Sequence, residues 1–560
     1  MKYYSEEAYN HPLTEKSIYE YLVDANQNHL DDVALIYFGK KICFKELFEH
    51  IDQTAAAFRA LGVKEKEIVT VALPSIPEAL YVVYALNKIG AVANMIHPLA
   101  GKEETINYLN EVNSSVFVLF DGTYQIVKDS LDKTSVKKAV LVTPAESLTL
   151  IPKAIYNIKN RNVQMPRNGL YIRWADFISE GRNQSIGKII RNIYDLALIS
   201  HTGGTTGEPK GVMFSDYNVN ALIFQITGCF KARKNGCCLS VLPPFVNYSL
   251  VESMLAMLAI GYKIVLIPDY KPKKFVLYVR KYRPNTILSI PPYWEALLKI
   301  RNIKKTDFSS FDQIYYGGEG MSAEKEEAIN EILRNHGSSK DLGKGLGSTE
   351  MVAAATLTYP TINSIGSVGI PLIKTNCKIV EPGTMEELSY KQEGEICFSG
   401  PTLMIGYYNN QEATDEIVKI HSDGQRWIYT GDLGYLDSDG VLYVTGRIKR
   451  ILLTKGSDGN ITKIFPDRIE KAILQHSSVI QCCVVGIEAE DRIHYPKAFI
   501  VLDEGIDVTG SISEELLSIC KENLPSYMVP EEFVYLKDLP RTPRGKIDYR
   551  VLETYKINNN

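Results

Sequence analysis

Ser200-His-Thr-Gly-Gly-Thr-Thr-Gly-Glu-Pro-Lys-Gly211 follows the strand-like run Leu196-Ala-Leu-Ile, and its chemistry decides how the rest of the chain is read. Gly203, Gly204 and Gly207 let backbone N–H groups approach an anion closely, the hydroxyls of Thr202, Thr205 and Thr206 can donate to phosphoryl oxygens, and Lys210 adds a positive charge. By composition this is a polyphosphate cradle. It is not a Walker loop, because Glu208-Pro209 separate Gly207 from Lys210 and no Gly-Lys-Ser/Thr occurs there.

Working outward, short apolar runs alternate with helical patterns: Val69-Thr-Val-Ala-Leu, a helix over Glu78 to Ile89, then Ala91 to Ile96 and Ser115 to Phe120. That alternation predicts an α/β fold with largely parallel sheets. From about Ile379 the texture changes to Gly-punctuated strands such as Gly394-Glu-Ile-Cys-Phe-Ser-Gly and Gly440-Val-Leu-Tyr-Val-Thr-Gly, which predicts a β-rich subdomain over 379–446. After Gly446-Arg-Ile-Lys, a helix over Asp467 to His476 and a strand over Val479 to Gly486 follow. The expectation is a large N-terminal lobe (1–448) of doubly wound sheets plus that β-rich subdomain, and a small mobile α+β C-terminal lobe (449–560) hinged at Lys449. Residues 147–192 carry eight Lys or Arg against Asp176 and Glu180 and read as a solvated insertion, with a patch that docks a membrane surface or a partner as the lesser alternative.

With 560 residues, 45% of them hydrophobic and 23% charged, the chain is long enough for several folding units and is neither fibrous nor disordered. The net charge of −4 supplies no global basic field, so nucleic acid is not an expected partner and an anionic ligand must be held locally. Nine Cys, with adjacent pairs Cys237-Cys238 and Cys482-Cys483, fit neither a zinc cluster nor a disulfide framework, which predicts reduced thiols and a cytoplasmic setting. No apolar run predicts a leader or a transmembrane segment.

The Ser200–Gly211 segment resembles the phosphate-loop signature of the adenylate-forming superfamily, which includes acyl-CoA synthetases, firefly luciferase and the adenylation domains of peptide synthetases. Four further segments match in the same order: Gly345-Leu-Gly-Ser-Thr-Glu350, Tyr429-Thr-Gly-Asp432, Gly446-Arg447 and Pro540-Arg-Thr-Pro-Arg-Gly-Lys546. The resemblance implies that ATP or AMP is held by Thr202, Gly203, Gly204, Thr205, Thr206, Gly207, Lys210, Gly347, Ser348 and Thr349. It also implies a ribose contact from Asp432 assisted by Arg447, a Mg²⁺ site at Glu350 and Thr206, and catalytic roles for Lys546, Thr206 and Glu350. Gly317-Gly-Glu-Gly-Met321, with Gly318, Glu319 and Gly320, is expected to form the floor under the adenine.

Three departures matter. Gly203 stands where many members have Ser, Leu346 replaces an aromatic residue that often stacks on adenine, and the Gly456–Ile464 connection is longer than usual. Leu242-Pro-Pro-Phe-Val-Asn-Tyr-Ser-Leu250 resembles the segment that opens the helix lining the acid pocket, so Val246, Asn247 and Val352 are expected to border the substrate. No Asp is present there to pair with an α-ammonium, which favours a simple carboxylic acid. The expected reaction makes acyl-AMP and pyrophosphate from ATP, then passes the acyl group to coenzyme A. A stand-alone carrier protein bearing phosphopantetheine is the alternative acceptor, supported by Leu524-Pro-Ser-Tyr-Met-Val-Pro530, and a non-catalytic nucleotide-binding protein is the remote one.

Overall fold

The computed structural model describes residues 3–159, 169–187, 189–202, 209–229, 235–300, 303–450, 452–455, 461–488, 494–503, 505–506, 508–541 and 547–555. Two large sheets build the N-terminal part. The first runs, in spatial order, Gly406–Tyr407, Gly211–Ser215, Leu196–His201, Val92–Met95, Ile68–Ala72, Val116–Phe120, Lys138–Val142 and Tyr171–Arg173. Its strands from Leu196–His201 onward are parallel, and the first two pair antiparallel.

The second sheet runs Gly343–Lys344, Gln313–Tyr316, Thr286–Ser289, Cys237–Ser240, Lys263–Leu266, Val33–Tyr37 and Lys40–Cys43, parallel except at the last pair. Strands covered on both faces read as continuous apolar runs, which is why Val69-Thr-Val-Ala-Leu was legible as one. Helix Pro77–Lys88 lies in the covered layer, with every residue from Pro77 to Asn87 buried. It belongs to one core cluster that joins Val69 and Val71 of the first sheet to Ile264 and Leu266 of the second.

The β-rich subdomain is antiparallel. Strand Arg426–Leu436 pairs with Gly394–Ser399, Val418–Ile420 and Leu442–Arg447, and Asn376–Val380 forms the far edge. Beyond a short 3₁₀ turn at Ile448–Arg450, strands Val479–Glu488, His494–Leu502 and Glu532–Tyr535 form a small sheet. Its core cluster on one face takes in helices Pro466–Ile473 and Gly510–Asn523, and that on the other takes in helix Tyr549–Glu553. The two parts touch where Lys325 Nζ donates to the Ile480 carbonyl at 3.0 Å.

The 147–192 segment departs from its reading as a merely solvated insertion. It contains helix Leu150–Lys159, strand Tyr171–Arg173 on the edge of the first sheet, and helix Trp174–Glu180, whose Trp174 and Phe177 are buried. Among the described residues, no helix is long and apolar enough to cross a membrane.

Candidate active site

Parallel strands deliver their loops to one edge, and open α/β sheets bind ligands at the carboxyl ends of strands. Thr202 follows the strand ending at His201, Gly317 the strand ending at Tyr316, and Gly345 the strand ending at Lys344. Thr202 and Lys210 close the neck of the phosphate loop: Thr202 N donates to the Lys210 carbonyl and Lys210 N donates to Thr202 Oγ1, both at 3.0 Å. Gly203, Gly204, Thr205, Thr206 and Gly207 lie outside the described residues, as does Lys546.

Lys210 and Glu350, 140 positions apart in sequence, meet on one tyrosine. The Tyr407 hydroxyl donates to Glu350 Oε1 at 2.7 Å, and Lys210 Nζ lies 4.8 Å from the centre of the same ring, within cation–π range. Burial, and then the Glu350 carboxylate, push the Tyr407 phenol far up, so it stays a donor. Tyr407 is absent from the sequence-derived set. Its only cue is the Gly406-Tyr407-Tyr408 triplet, which carries no chemistry until the edge strand Gly406–Tyr407 is seen paired to Gly211–Ser215.

Glu350 sits in the 3₁₀ turn Thr349–Met351, with its carbonyl bonded to Met404 N at 2.9 Å. Gly347 before it admits no side chain, since a Cβ would lie 1.9 Å from the Ala353 carbonyl oxygen. Ser348 Oγ is buried and has no hydrogen-bond partner among the described residues. Val352 has φ 65° and ψ −61°, and Ala353 N donates to the Met351 carbonyl at 2.8 Å. This is the rare strained γ-turn, here on a β-branched residue, and such strain gathers at functional sites.

What holds the turn is a carboxyl that the sequence reading passed over. Ala354 N donates to Glu252 Oε1 at 2.9 Å, and burial pushes the Glu252 carboxyl up to about 8. Glu252 lies on the π-helix Tyr248–Leu255, the element that opens at the expected acid pocket. Val246 is half-buried, Asn247 is buried, and Val352 is fully enclosed in the main core. Asn247 Oδ1 accepts from Ser200 Oγ at 2.6 Å, tying this segment to the strand before the phosphate loop, while its Nδ2 has no partner among the described residues.

Gly318, at φ 84°, turns the segment expected to lie under the adenine, and a Cβ on Gly317 would stand 3.6 Å from the Gly345 carbonyl oxygen. Glu319 and Gly320 follow in the same loop. Leu346 and Met351 pack in one cluster with Leu442 and Val444 of the β-rich sheet. On that sheet Asp432 and Arg447 are register partners, and Arg447 Nε meets Asp432 Oδ1 at 2.7 Å. Gly431 N donates to Glu395 Oε1 at 2.9 Å, fixing the turn that presents Asp432.

The chain matches the AMP-binding enzyme family over residues 22–408 and the AMP-binding enzyme C-terminal domain over 468–546. The chain belongs to the AMP-binding enzyme family. This chain is an enzyme of that family. It is similar to the "Probable 4-coumarate–CoA ligase 1" of Dictyostelium discoideum, at 27% identity over 97% of this chain and 96% of that one. It is equally similar, at 27%, to the long-chain-fatty-acid–CoA ligase of Bacillus subtilis, covering 96% of this chain and 94% of that one. Its fold is shared with the anthranilate CoA ligase AuaEII in complex with anthranoyl-AMP, at a TM-score of 0.81 and 20% identity over 98% of both chains. ATP-bound MatB from Rhodopseudomonas palustris matches at a TM-score of 0.82 and 20% identity, over 96% of this chain and 98% of that one.

Proposed function

We propose that the enzyme binds ATP and Mg²⁺, joins a simple carboxylic acid to the α-phosphate with release of pyrophosphate, and then passes the acyl group to the thiol of coenzyme A. In the first step a carboxylate oxygen attacks the α-phosphorus and the bond to pyrophosphate breaks. In the second the thiol sulfur attacks the acyl carbon, AMP leaves, and the thiol proton is released. The observation that carries the reading is the meeting of Lys210 and Glu350 on Tyr407 at the neck of the phosphate loop. A cation beside the polyphosphate and a carboxylate for its metal are what offsets repulsion between two anions.

Among the described residues no cluster of three His, Cys, Asp or Glu side chains could hold a metal alone. A single carboxylate nevertheless suits Mg²⁺, which keeps waters and takes substrate phosphate oxygens. Glu350 would hold it together with Thr206, and the ion would neutralise charge building on the departing pyrophosphate. Asp432 would accept from the ribose hydroxyls, with Arg447 positioning it. The strongest support for a simple acid is electrostatic. Glu252 is the one acidic residue between Leu242 and Ile260, it is buried and accepts from Ala354 N, and burial pushes its carboxyl toward the neutral form, which does not suit pairing with an ammonium. Asn247 Nδ2, buried and unspent, would suit the acid's carboxylate.

Exchange of labelled pyrophosphate into ATP, stimulated by a panel of acids, tests the first step, and thioester formation with coenzyme A tests the second. Apolar or aryl acids should exceed the matching α-amino acids. A free amino acid as the best substrate would sink the pocket reading. Exchange without thioester on coenzyme A, but with it on a phosphopantetheine carrier protein, would reassign the acceptor.

A further inference from the structure

Helix Leu150–Lys159 is amphipathic with its apolar side turned outward. Leu150, Ile151, Ile155 and Ile158 are 87%, 76%, 51% and 58% exposed. At 100° per residue these four and Ala154 form one stripe along a rod about 15 Å long. The opposite, polar side fastens the helix to the body: the Tyr156 hydroxyl donates to Asp121, and Lys153 Nζ lies 3.4 Å from Glu146 Oε2. A surface helix ordinarily does the reverse and buries its apolar stripe.

Two further exposed apolar side chains approach the same region. Phe38, 63% exposed, caps the Val33–Tyr37/Lys40–Cys43 hairpin, and the neighbouring Tyr37 hydroxyl donates to the Pro144 carbonyl at 2.7 Å. Leu99, 58% exposed, follows Pro98, whose carbonyl accepts from Thr123 Oγ1 at 2.5 Å, two residues from the Asp121 that holds Tyr156. Separate exposed apolar residues are ordinary; six brought to one region of a surface mark an interaction site.

Charge selects the partner. In a chain of net −4, the sequence of residues 147–192 carries two acidic side chains against eight basic ones, of which Arg191 is taken by the buried Asp216 and Lys153 by Glu146, and Lys40 and Lys41 follow Phe38 after Gly39 at the hairpin. We propose that the outward face of helix Leu150–Lys159, with Phe38 and Leu99, docks this enzyme on the surface of an anionic lipid bilayer. Apolar insertion supported by basic residues is how a peripheral helix lies in a headgroup layer. The site neighbours the acid pocket: the His97 ring, two residues before Leu99, packs 4.4 Å between centroids from Phe245, which precedes Val246. The docking claim stands whichever acid the enzyme activates.

Co-sedimentation of the full chain with vesicles tests it. One set is phosphatidylcholine alone, the other contains about a third phosphatidylglycerol. The parent should partition onto the anionic vesicles and less so in high salt. Ile151→Asp/Ile155→Asp should weaken that partition by on the order of tenfold per side chain removed from the bilayer. Pyrophosphate exchange with a water-soluble acid should stay unchanged, which also shows that the variant is folded. Ile151→Ser/Ile155→Ser, without added charge, should weaken partition in the same direction. No partition by the parent, equal partition of parent and variants, or equal partition onto neutral vesicles would each overturn the proposal. So would a parent dimer that the variants convert to monomers without any vesicle binding, which would assign this face to a second copy.

Discussion

Asp432 is buried beside its strand partner Arg447 and is presented by a turn that Glu395 holds through Gly431 N. If it accepts from ribose hydroxyls, Asp432→Ala should weaken ATP binding by about 1.5–3 kcal/mol, the range for hydrogen bonds to a charged group. Calorimetry giving equal affinities in parent and variant would remove it from the site. Tyr407 acts one step further back. Tyr407→Phe keeps the ring under Lys210 but strips the donor from Glu350, and groups that orient a metal ligand typically matter about 10–100-fold in metal affinity. The Mg²⁺ concentration that half-saturates pyrophosphate exchange should rise by that order, and an unmoved Mg²⁺ curve would count against Glu350 as the ligand. Glu252 gives a pH prediction. Burial pushes its folded-state carboxyl up from the ordinary carboxylate range to about 8, so between those values the folded chain holds a proton that the unfolded chain has lost, and stability falls as pH rises. Glu252→Gln keeps an acceptor for Ala354 N and removes that slope. Denaturant midpoints of parent and variant should therefore diverge in the variant's favour at pH 8 compared with pH 5, and a constant difference would contradict the assignment.

Among elements, the 3₁₀ turn Ile448–Arg450 stands where the β-rich sheet passes into the C-terminal part, and its last residue is anchored strongly. Arg450 pairs with Asp467, bonds Glu470 Oε1 at 2.6 Å, and stacks 4.5 Å from the Tyr549 ring centre. A hinge at Lys449 would thus have one end fixed to the C-terminal lobe and the other, Arg447, to the ribose site. Arg450→Ala leaves Glu470 buried without its cation, and breaking such a pair costs about 3–5 kcal/mol. Unfolding or limited proteolysis should show the C-terminal lobe weakened by that order while the N-terminal lobe is unaffected. The elements that were legible in sequence are those whose signal is local: apolar runs of parallel strands, and a Gly/Thr loop after one of them. What was not legible depends on distant pairing. Tyr407 meets Glu350 across 57 positions and Glu252 meets Ala354 across 102, and neither partner marks the other in sequence. Helix Leu150–Lys159 failed for another reason. Its stripe of Leu150, Ile151, Ala154, Ile155 and Ile158 has helical spacing, but it is short and lies in a segment whose dominant signal is positive charge.

For the whole molecule, the proposed reaction would divide labour between two lobes. In the proposed reaction the N-terminal lobe would hold the nucleotide loops and the acid segment, whereas Lys546, which follows Pro540 and Pro543 in sequence, would come from the C-terminal lobe. In adenylation its ammonium would stabilise charge between the attacking carboxylate and the α-phosphate, a contribution of about 10²–10³-fold in rate for comparable donors. Thioester formation from a finished adenylate has no need of that cation, and a turn about Lys449 would carry it away before the thiol enters. The most direct measurement is therefore of the two half-reactions in parent and Lys546→Ala. The variant should lose acid-dependent pyrophosphate exchange by that factor yet convert supplied acyl-adenylate and coenzyme A to thioester at a near-parental rate. Equal loss of both half-reactions, with the fold intact, would contradict it.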